Sequence, residues 1–580
     1  MWQAPLPAIP VKKRRRDEDD AVEASSGSRD RPLRKVMADI FLTNKLSAKD
    51  AHAVLYSAAR EGVADVEDLA RAGAQGTNNN LARDIMRSLL RDVDMPEPLW
   101  HEIPLWDKHL QRQVLTSFPF LLPHEVLHKA AADPEALRKL IVSPNDFPEA
   151  AARHAALCRA LHLDCNTTVA IGMHGDGVPF TKHDSLEVLS FNCLAQPSGN
   201  RVPFTGVSKA FLCQCGCKGK CTWDALLAVF LWSMQSLCLG TFPCRGPGDQ
   251  PFPEGSDRSK QAGKPLRVCA LLEQVRGDWP FLRGLFALPS WSSEHICWKC
   301  MANKSDRNYK DTSAAASWRS SRYVPGEFLR LLQREGLSAI PAISCPGFDL
   351  SMVVLDWLHI VDLGVAQDLL GCLFWEAVAG GLPGASKKER LQCLWLKIQQ
   401  FYKRVRPPSA LNNLSAEMIK RTGKSPKLRA KGGETRYLIP FGAELAAELA
   451  PGSVHYDTIR HMFDHLVTLM GITSTRPYAS RLAEIACRQM CVLYSSLHQE
   501  ALAKGETLMW QMKPKVHLMQ ELIEYQSHDF GSPQDFWCYR DESWCGYWAR
   551  ASKRRGGANN AATTAFRLLQ RYRALERDAI

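Results

Sequence analysis

Residues 166–278 constrain the fold of this chain more than any other part of the sequence. Apolar, β-branched runs alternate there with turn residues, and a longer apolar stretch separates the last run from the others. The pattern indicates, in order, three strands, a buried helix and a fourth strand: residues 167–173, 186–194, 204–212, 223–239 and 266–272. This succession predicts a domain of mixed α/β class.

Acidic residues lie just after the first and the fourth of these strands. Asp176 follows the first strand in the run His174-Gly175-Asp176-Gly177, and Asp278 lies just beyond the fourth. A third acid, Glu542, is next to Asp541, and only one of these two neighbours can point inward from a helix. Mg²⁺ prefers oxygen ligands, and paired ions can activate an attacking oxygen and stabilise a leaving one. The acids therefore predict a phosphoryl-transfer site, although an aspartate between glycines is also common in plain turns.

Cysteines form two groups with the spacing of metal ligands. Cys297-Trp298-Lys299-Cys300 has the spacing of a zinc knuckle, and thiolates with an imidazole such as His295 nearby favour tetrahedral zinc. The second group is Cys213-Gln214-Cys215-Gly216-Cys217 with Cys221; it would have to bend around an ion, because alternating residues share one face of a strand. Metal binding and plain reduced thiols are both open for this group. Nineteen cysteines without export features favour reduced thiols over a disulfide framework.

Positive charge is concentrated in residues 387–436. The whole chain has a net charge of +12, and this segment holds fourteen lysines and arginines against three acids. Such a segment suits a phosphate backbone, because each contact releases condensed counterions. A solvated surface loop is the alternative. The candidate DNA-contacting residues are Lys403, Arg404, Arg406, Lys420, Arg421, Lys427, Arg429 and Lys431.

The N-terminal residues carry no catalytic motif. Residues 1–32 combine prolines, a basic run, an acidic run and serines, which predicts a disordered tail. Within the tail, the basic residues 12–16 are similar to a nuclear-localisation signal. Residues 33–163 have apolar residues at three- and four-residue spacing, which predicts a helical domain with Ser47 and Asn80 as helix caps.

The sequence predicts a nuclear protein with no membrane partner. The N-terminus has basic and acidic runs where a signal peptide would have an apolar core. The most apolar run, residues 225–234, is too short to span a bilayer.

Taken together, these motifs resemble those of DDE-type transposases, in the group that includes the CACTA and Transib elements and the catalytic core of the V(D)J recombinase. The similarity covers residues 165–575. In that group an RNase H-like domain carries one aspartate on its first strand, a second after its fourth strand and a glutamate on a late helix. The resemblance implies that Asp176, Asp278 and Glu542 are the catalytic residues and hold the metal ions.

The resemblance also implies a zinc ligand far downstream of Cys297 and Cys300. In the group, the Cys-x-x-Cys pair is followed, after a long helical insertion, by two histidines on one helix. His517 matches the first histidine, whereas Glu521 stands where its i+4 partner would be. The fourth ligand is therefore open, with three candidate histidines: His359, His498 and His528.

The organisation implied by the resemblance is an α/β protein, in which an RNase H-like catalytic domain is interrupted by a large helical insertion and preceded by a helical N-terminal domain. The expected parts are a disordered basic tail, the helical N-terminal domain, the RNase H-like core with its zinc knuckle, the helical basic insertion and a C-terminal catalytic helix region: residues 1–32, 33–163, 164–300, 301–512 and 513–580.

The implied activity is that of a transposase, which cleaves and transfers DNA strands with Mg²⁺ or Mn²⁺ at the acids and with Zn²⁺ as a second metal. The expected partners are DNA and further copies of the chain in a homo-oligomer. Two alternatives stay open. One is a domesticated or inactive transposase derivative that binds DNA or zinc in the nucleus, which the missing second histidine favours. The other is an unrelated zinc-binding scaffold.

Overall fold

The computed structural model is a mixed α/β protein that divides into two compact units. The described residues of the sheet unit lie within Ser25–Leu288, Gly326–Val353 and Tyr539–Ile580. The described residues of the helical unit lie within Pro289–Pro325 and Val354–Cys538. The structure describes residues 32–72, 80–91, 93–181, 183–324, 327, 345–553 and 560–575. The predicted tail and its basic run therefore lie outside the described residues, except for residue 32.

The sheet unit begins with helices whose caps follow from the sequence. Ser47 Oγ accepts a hydrogen bond from the Asp50 N–H at 3.1 Å, and Asn80 Oδ1 accepts one from the Arg83 N–H at 3.2 Å. Both predicted caps are confirmed; each satisfies an N–H group that has no partner within the first turn. The helices before the main sheet are Leu33–Leu42, Ala48–Arg60, Glu67–Ala70, Leu81–Leu90, Pro123–Ala130, Pro134–Leu140 and Pro148–Ala160, with a 3₁₀ turn at Ala64–Val66.

A β-hairpin interrupts this helical part, which the helical spacing of residues 33–163 did not predict. Strand β1 (Leu99–Asp107) pairs antiparallel with strand β2 (Arg112–Phe120). Asp107 organises the short connection, because its Oδ1 accepts the N–H groups of His109 and Leu110 at 2.8 and 3.0 Å. Asp is favoured at such turns for this reason.

The main sheet has four strands in the order β5-β4-β3-β6. Strand β3 (Thr168–Thr181) pairs antiparallel with β4 (Asp184–Cys193), which pairs antiparallel with β5 (Val202–Ser208). Strand β6 (Cys269–Gly277) lies on the other side of β3 and runs parallel to it. The structure thus has the predicted succession of three strands, a helix and a fourth strand. Because β3 continues beyond its predicted end, Asp176 lies inside a strand and not in a turn.

The helix Lys220–Leu239, called the crossover helix below, connects β5 to β6 and packs against β6. It is apolar on nearly every side, which is typical of a helix inside a core. The ring of Phe230 meets the ring of Phe204 on β5 edge-on, with 5.2 Å between centroids. The helix ends at Gly240, whose φ of 66° closes the last turn.

Two C-terminal helices complete the sheet unit. Tyr539–Ser552, called the glutamate helix below, packs against β3, and Ala561–Leu575 packs against β5 and β2. The sheet is therefore covered by residues from the far end of the chain. The other elements of this unit are the helices Asp257–Gln261 and Trp279–Phe286 and the 3₁₀ turns Lys209–Phe211, Pro247–Asp249 and Leu350–Met352.

The helical unit has its core where three long helices pack in succession: Gly432–Leu449, Val454–Thr473 and Ser480–Ala503. Leu438, Phe463 and Met490 are buried among them. The other α-helices of the unit are Ser317–Ser320, Ala366–Glu376, Lys387–Val405, Ala416–Ile419, Pro514–Glu521, Ser527–Phe530 and Pro533–Phe536. Its π-helical segments are Leu358–Val365, Ala377–Gly381 and Leu522–Gln526, and Asn308–Lys310 is a 3₁₀ turn.

Two helices in the described part of the chain are long and apolar enough to cross a membrane: the crossover helix and Leu358–Gly381. Within their apolar windows, 61% and 83% of the residues are buried inside the protein. Core helices pass the same test of length and composition, so these two helices are weak indications of a membrane span.

Candidate functional site

Asp176 lies on β3, and Asp278 directly follows β6, the parallel neighbour of β3. Gly175 of β3 is paired in register with Gly277, the last residue of β6, so each aspartate is the residue after a paired glycine. Neighbouring strands lie about 4.8 Å apart. The two aspartates are therefore neighbours at the point where β6 ends and β3 continues, and both are partly exposed.

The glycines before the two aspartates make room for one aromatic ring. A Cβ at Gly175 would lie 1.9 Å from the ring of Phe281, and a Cβ at Gly277 would lie 2.5 Å from the same ring. No side chain fits at either position while the ring stays there. The Phe281 ring therefore covers the backbone of both strands at the point where the aspartates emerge.

Asp278 also has a structural contact. Its Oδ1 accepts a hydrogen bond from the Phe281 N–H at 2.7 Å, so it is the N-cap of the helix Trp279–Phe286. An N-cap carboxylate stabilises the first turn of a helix. The cap fixes the orientation of this carboxylate.

A fourth acid, Glu187 of β4, is close enough to Asp278 for their charges to interact. Gly177 of β3 is its partner in register, and the Glu187 oxygens lie 2.7 and 2.9 Å from where a Cβ of Gly177 would be. Glu187 is 8% exposed. Burial raises the pKa of Glu187, and the nearby charge of Asp278 raises it further, against the hydrogen bond from Ser185. The sequence did not predict Glu187, because β4 also carries Asp184 and several polar residues and nothing in it singles out this acid.

The neighbours Asp541 and Glu542 on the glutamate helix have different surroundings. Asp541 is fully buried and lies 2.8 Å from Arg201 Nε and 2.9 Å from Arg276 Nη2. Burial alone would raise its pKa, but the charges of the two arginines outweigh burial and hold the pKa of Asp541 far below its usual range. Asp541 is therefore occupied in an ion-pair cluster, whereas Glu542 is partly exposed.

Cys545, one turn after Glu542, lies where the glutamate helix packs against β3. Its Sγ lies 3.8 Å from Nδ1 of His174, two residues before Asp176 on the strand. Burial raises the pKa of the Cys545 thiol well above its usual value, and the negative charges of Asp176, Asp541 and Glu542 raise it further.

The three predicted acids all lie in the sheet unit, but among the described residues they do not form one compact group of ligand atoms. Among the residues that the structure describes, the groups whose ligand atoms all lie within 4.8 Å of one another do not include Asp176, Asp278 and Glu542 together. Carboxylates repel one another at short range.

The helical unit contains a buried group of four potential metal ligands. Cys297, Cys300, His517 and Glu521 place one ligand atom each within 4.8 Å of one another. Cys300 Sγ lies 3.3 Å from His517 Nε2. Tetrahedral zinc, with bonds of about 2.3 Å to sulfur and about 2.0–2.1 Å to nitrogen, would separate these atoms by about 3.5 Å. The helix Pro514–Glu521 presents His517 and Glu521 one turn apart, on the same face.

Two buried polar atoms of this group have no hydrogen-bond partner among the described residues. His517 Nδ1 and Glu521 Oε1 are buried and have no hydrogen-bond partner, whereas Glu521 Oε2 lies 2.9 Å from Arg322 Nε. Burial raises the pKa of Glu521, and a charge on Cys297 raises it further. The ring of Trp318 packs edge-on against His517, with 4.5 Å between centroids, and closes the group from solvent.

The structure places Glu521, and none of the three candidate histidines, in the fourth position of the group. His359 Nδ1 lies 2.6 Å from Asp356, His498 Nε2 lies 3.4 Å from Lys310 Nζ, and His528 Nε2 lies 3.7 Å from Glu484. An acid four residues after a histidine shares its helical face, and this spacing is the signal that could have identified Glu521.

No family model and no curated protein match this chain. Function therefore has to be inferred from the residues themselves.

The predicted DNA-contacting residues differ in their surroundings. Lys403, Arg406, Arg421 and Lys431 are exposed. Arg404 is exposed but lies 2.5 Å from Glu444, which offsets its charge. The other three are partly buried: Lys420 lies over the ring of Trp375, Lys427 donates to the Leu363 carbonyl, and Arg429 donates to the Glu417 carbonyl. The exposed residues are the better candidates for phosphate contacts.

Proposed function

We propose that this protein is a DDE-type, transposase-like enzyme that cleaves and joins DNA in the nucleus, with Asp176, Asp278 and Glu542 as ligands of divalent metal ions. The observation that supports the proposal is the pairing of Gly175 with Gly277, which places Asp176 of β3 next to Asp278, the first residue after the parallel strand β6. The glutamate helix packs against the first of these strands. An RNase H-like core of this family is expected to have an aspartate on its first strand, another after its fourth and a glutamate on a late helix.

The donor set fits hard cations. Carboxylate oxygens are the ligands that Mg²⁺ and Mn²⁺ prefer, and the three acids are partly exposed. The chemistry that such cations supply is activation of the attacking oxygen and neutralisation of charge on the phosphodiester. Glu187 is a candidate further ligand, because its buried carboxylate lies beside Asp278.

The chain's own residues hold the acids in place. Asp278 is oriented by its bond to the Phe281 N–H. The Phe281 ring covers the strand backbone beneath it. Asp541 anchors the glutamate helix to Arg201 and Arg276, which leaves its neighbour Glu542 on the accessible side. These contacts pre-organise the site without themselves touching DNA.

The group of Cys297, Cys300, His517 and Glu521 fits zinc. Two thiolates, an imidazole and a carboxylate form a closed set of four donors, and the orphaned Glu521 Oε1 is an oxygen that a metal would satisfy. The contribution of zinc there would be structural, because all four residues are buried and no position is left open to substrate. It would tie residues 297–300 to the helix Pro514–Glu521.

A non-catalytic derivative that binds DNA or zinc is the second candidate function. The observation that favours it is the N-cap bond of Asp278, which gives this residue a structural role that needs no metal. Under this second proposal the exposed lysines and arginines of residues 387–436 still bind DNA.

Nicking of labelled DNA by the full chain in Mg²⁺ or Mn²⁺ separates the two candidates. Asp278→Asn is the informative variant, because Asn keeps the N-cap bond and removes the ligand charge. We expect the unmodified chain to nick DNA, and Asp278→Asn to bind DNA equally well without nicking it. Binding without nicking by the unmodified chain, in either metal, would establish the non-catalytic derivative. No binding at all would exclude both.

A further inference from the structure

The sheet unit contains a second compact group of sulfurs, in the connection between β5 and the crossover helix. Its members are Cys213, Cys215, Cys217 and Cys221, whose Sγ atoms all lie within 4.8 Å of one another. In an extended strand the first three thiols would all point the same way and lie further apart. The chain turns instead, through three residues with positive φ: Gly216 (94°), Lys218 (55°) and Gly219 (87°).

The distances within this group fit one ion. Cys215 Sγ lies 3.8 Å from Cys221 Sγ. Four thiolates around tetrahedral zinc, with bonds of about 2.3 Å, would lie about 3.8 Å from one another. A disulfide would need about 2.05 Å between two sulfurs, and all four residues are free cysteines.

Hydrogen-bond donors surround the most buried sulfur of the group. Cys213 Sγ, in a residue that is 2% exposed, accepts from Gln113 Nε2 at 2.8 Å and from the Cys215 N–H at 3.5 Å. Cysteine sulfurs bind metals as thiolates. No imidazole or carboxylate belongs to this group within the described residues.

We infer that Cys213, Cys215, Cys217 and Cys221 form an all-thiolate zinc site. Soft thiolate donors in a tetrahedral arrangement select zinc over the hard cations expected at the acids. This site is separate from the Cys297 group, and the inference does not rest on the proposed function.

The hydrogen bonds around this site indicate that zinc bound there would have a structural role. The Cys213 N–H donates to Thr222 Oγ1 at 3.1 Å, and Thr222 Oγ1 in turn donates to the Pro104 carbonyl of β1 at 2.7 Å. Gln113, the donor to Cys213, lies on β2. Zinc bound here would therefore fix the start of the crossover helix against the β1–β2 hairpin.

The first test is the zinc content of the purified full chain, measured by mass spectrometry. We expect about two zinc ions per chain, about one in the Cys297→Ser/Cys300→Ser variant and about one in Cys215→Ser/Cys217→Ser. Cys244→Ser is the matched control, because Cys244 is an exposed cysteine outside both groups. X-ray absorption at the zinc edge of Cys297→Ser/Cys300→Ser should show four sulfur neighbours at about 2.3 Å. Unchanged zinc in Cys215→Ser/Cys217→Ser, or fewer sulfur neighbours, would overturn the inference.

A second measurement needs no variant. Lys218 is exposed and lies between two of the proposed zinc ligands, Cys217 and Cys221. Bound zinc should therefore protect the peptide bond after Lys218 from cleavage by trypsin. We expect cleavage after Lys218 in the chelator-treated full chain and its suppression when zinc is restored. Cleavage at this bond that is insensitive to zinc would contradict the site, even if the cysteine variants fail to fold.

Discussion

Asp541 and Arg276 form a buried ion pair in the sheet unit, with Asp541 Oδ1 2.9 Å from Arg276 Nη2, although 265 residues separate them in the chain. Arg201 binds the same carboxylate at 2.8 Å. All three side chains are 3% exposed or less. Since a buried charge has lost its hydration, the cluster is favourable only while each member keeps its partners. It fixes the helix that carries Glu542.

The first prediction concerns Asp541. Asp541→Asn leaves two buried arginines without a countercharge, so we expect the free energy of unfolding of the sheet unit to fall by about 3–5 kcal/mol. Chemical denaturation followed by tryptophan fluorescence measures this loss. The neighbouring variant Glu542→Gln is the matched control: it should unfold like the unmodified chain but lose metal-dependent nicking. If Glu542→Gln destabilised the protein as much as Asp541→Asn, the division of roles between these neighbours would be wrong.

The second prediction is that Glu187→Gln stabilises the protein and weakens its response to metal. The folded pKa of Glu187 is raised above its unfolded value, so its charged form opposes folding once the pH exceeds the unfolded pKa. Gln keeps an acceptor for Ser185 and removes the charge. We expect a higher midpoint of thermal unfolding at pH 7 and a higher Mg²⁺ concentration for half-maximal nicking. Glu102→Gln, an exposed residue of β1, should change neither quantity.

How far the sequence predicts this fold depends on how local the signal is. The crossover helix was predictable, because a helix that is apolar on nearly every side is typically buried in the core of a protein. The end of β3 was not, because Gly175, Gly177 and Pro179 resemble turn residues; pairing with β4 keeps all three extended, and β6 pairs only as far as Gly175. The β1–β2 hairpin was missed because its alternation of buried and exposed residues is short.

The same distinction holds for the candidate site. Cys297, Cys300 and His517 could be selected from spacing, and the structure brings them together. Glu521 departs from the histidine that the resemblance implies, although a carboxylate on the same helical face can serve as a ligand. Glu187 could not have been found, because its position beside Asp278 depends on the register of three strands.

The third prediction tests Glu521 as the fourth zinc ligand. Glu521→Gln removes a charged donor from a buried group, so we expect zinc affinity to fall by at least about tenfold. The measurement is zinc retained by the full chain during competition with chelators of graded strength. His528→Gln is the control, because His528 lies outside the group. If Glu521→Gln retained zinc like the unmodified chain and His528→Gln lost it, His528 and not Glu521 would be the fourth ligand.

The fourth prediction is a pH dependence centred on His455 in the helical unit. Its ring nitrogens lie 3.0 Å from Glu376 and 2.8 Å from Glu500. The hydrogen bond to Glu376 raises the pKa of His455 to about 8, against burial, and the bond to Glu500 adds to it. Because the folded pKa is the higher one, the contribution of His455 to stability is fully present below about pH 6.5 and is lost as the pH rises through about 8.

His455→Gln should therefore lower the free energy of unfolding at pH 6 by about 1 kcal/mol, after allowance for solvent screening, and by less at pH 9. Denaturation curves at both pH values measure the difference. His461→Gln is the control on the same helix, because His461 is half exposed and has only one acidic partner, Asp457, at 3.6 Å. An equal loss at pH 6 and pH 9 in His455→Gln would show that His455 contributes by packing and not by charge.

The last prediction separates the basic residues that contact DNA from those that are paired within the protein. Lys403 and Arg406 are exposed, and neither makes a salt bridge to another described residue. Lys397 and Arg404 are instead paired with Glu448 and Glu444. We expect Lys403→Glu/Arg406→Glu to weaken DNA binding and to reduce the slope of log affinity against log salt by about 0.9 for each lost phosphate contact.

Lys397→Glu/Arg404→Glu is the matched control, since it changes the net charge of the chain by the same amount. Fluorescence anisotropy over a salt series measures both slopes. Equal losses in the two variants would mean that DNA responds to net charge alone and that no defined contact surface lies in residues 387–436.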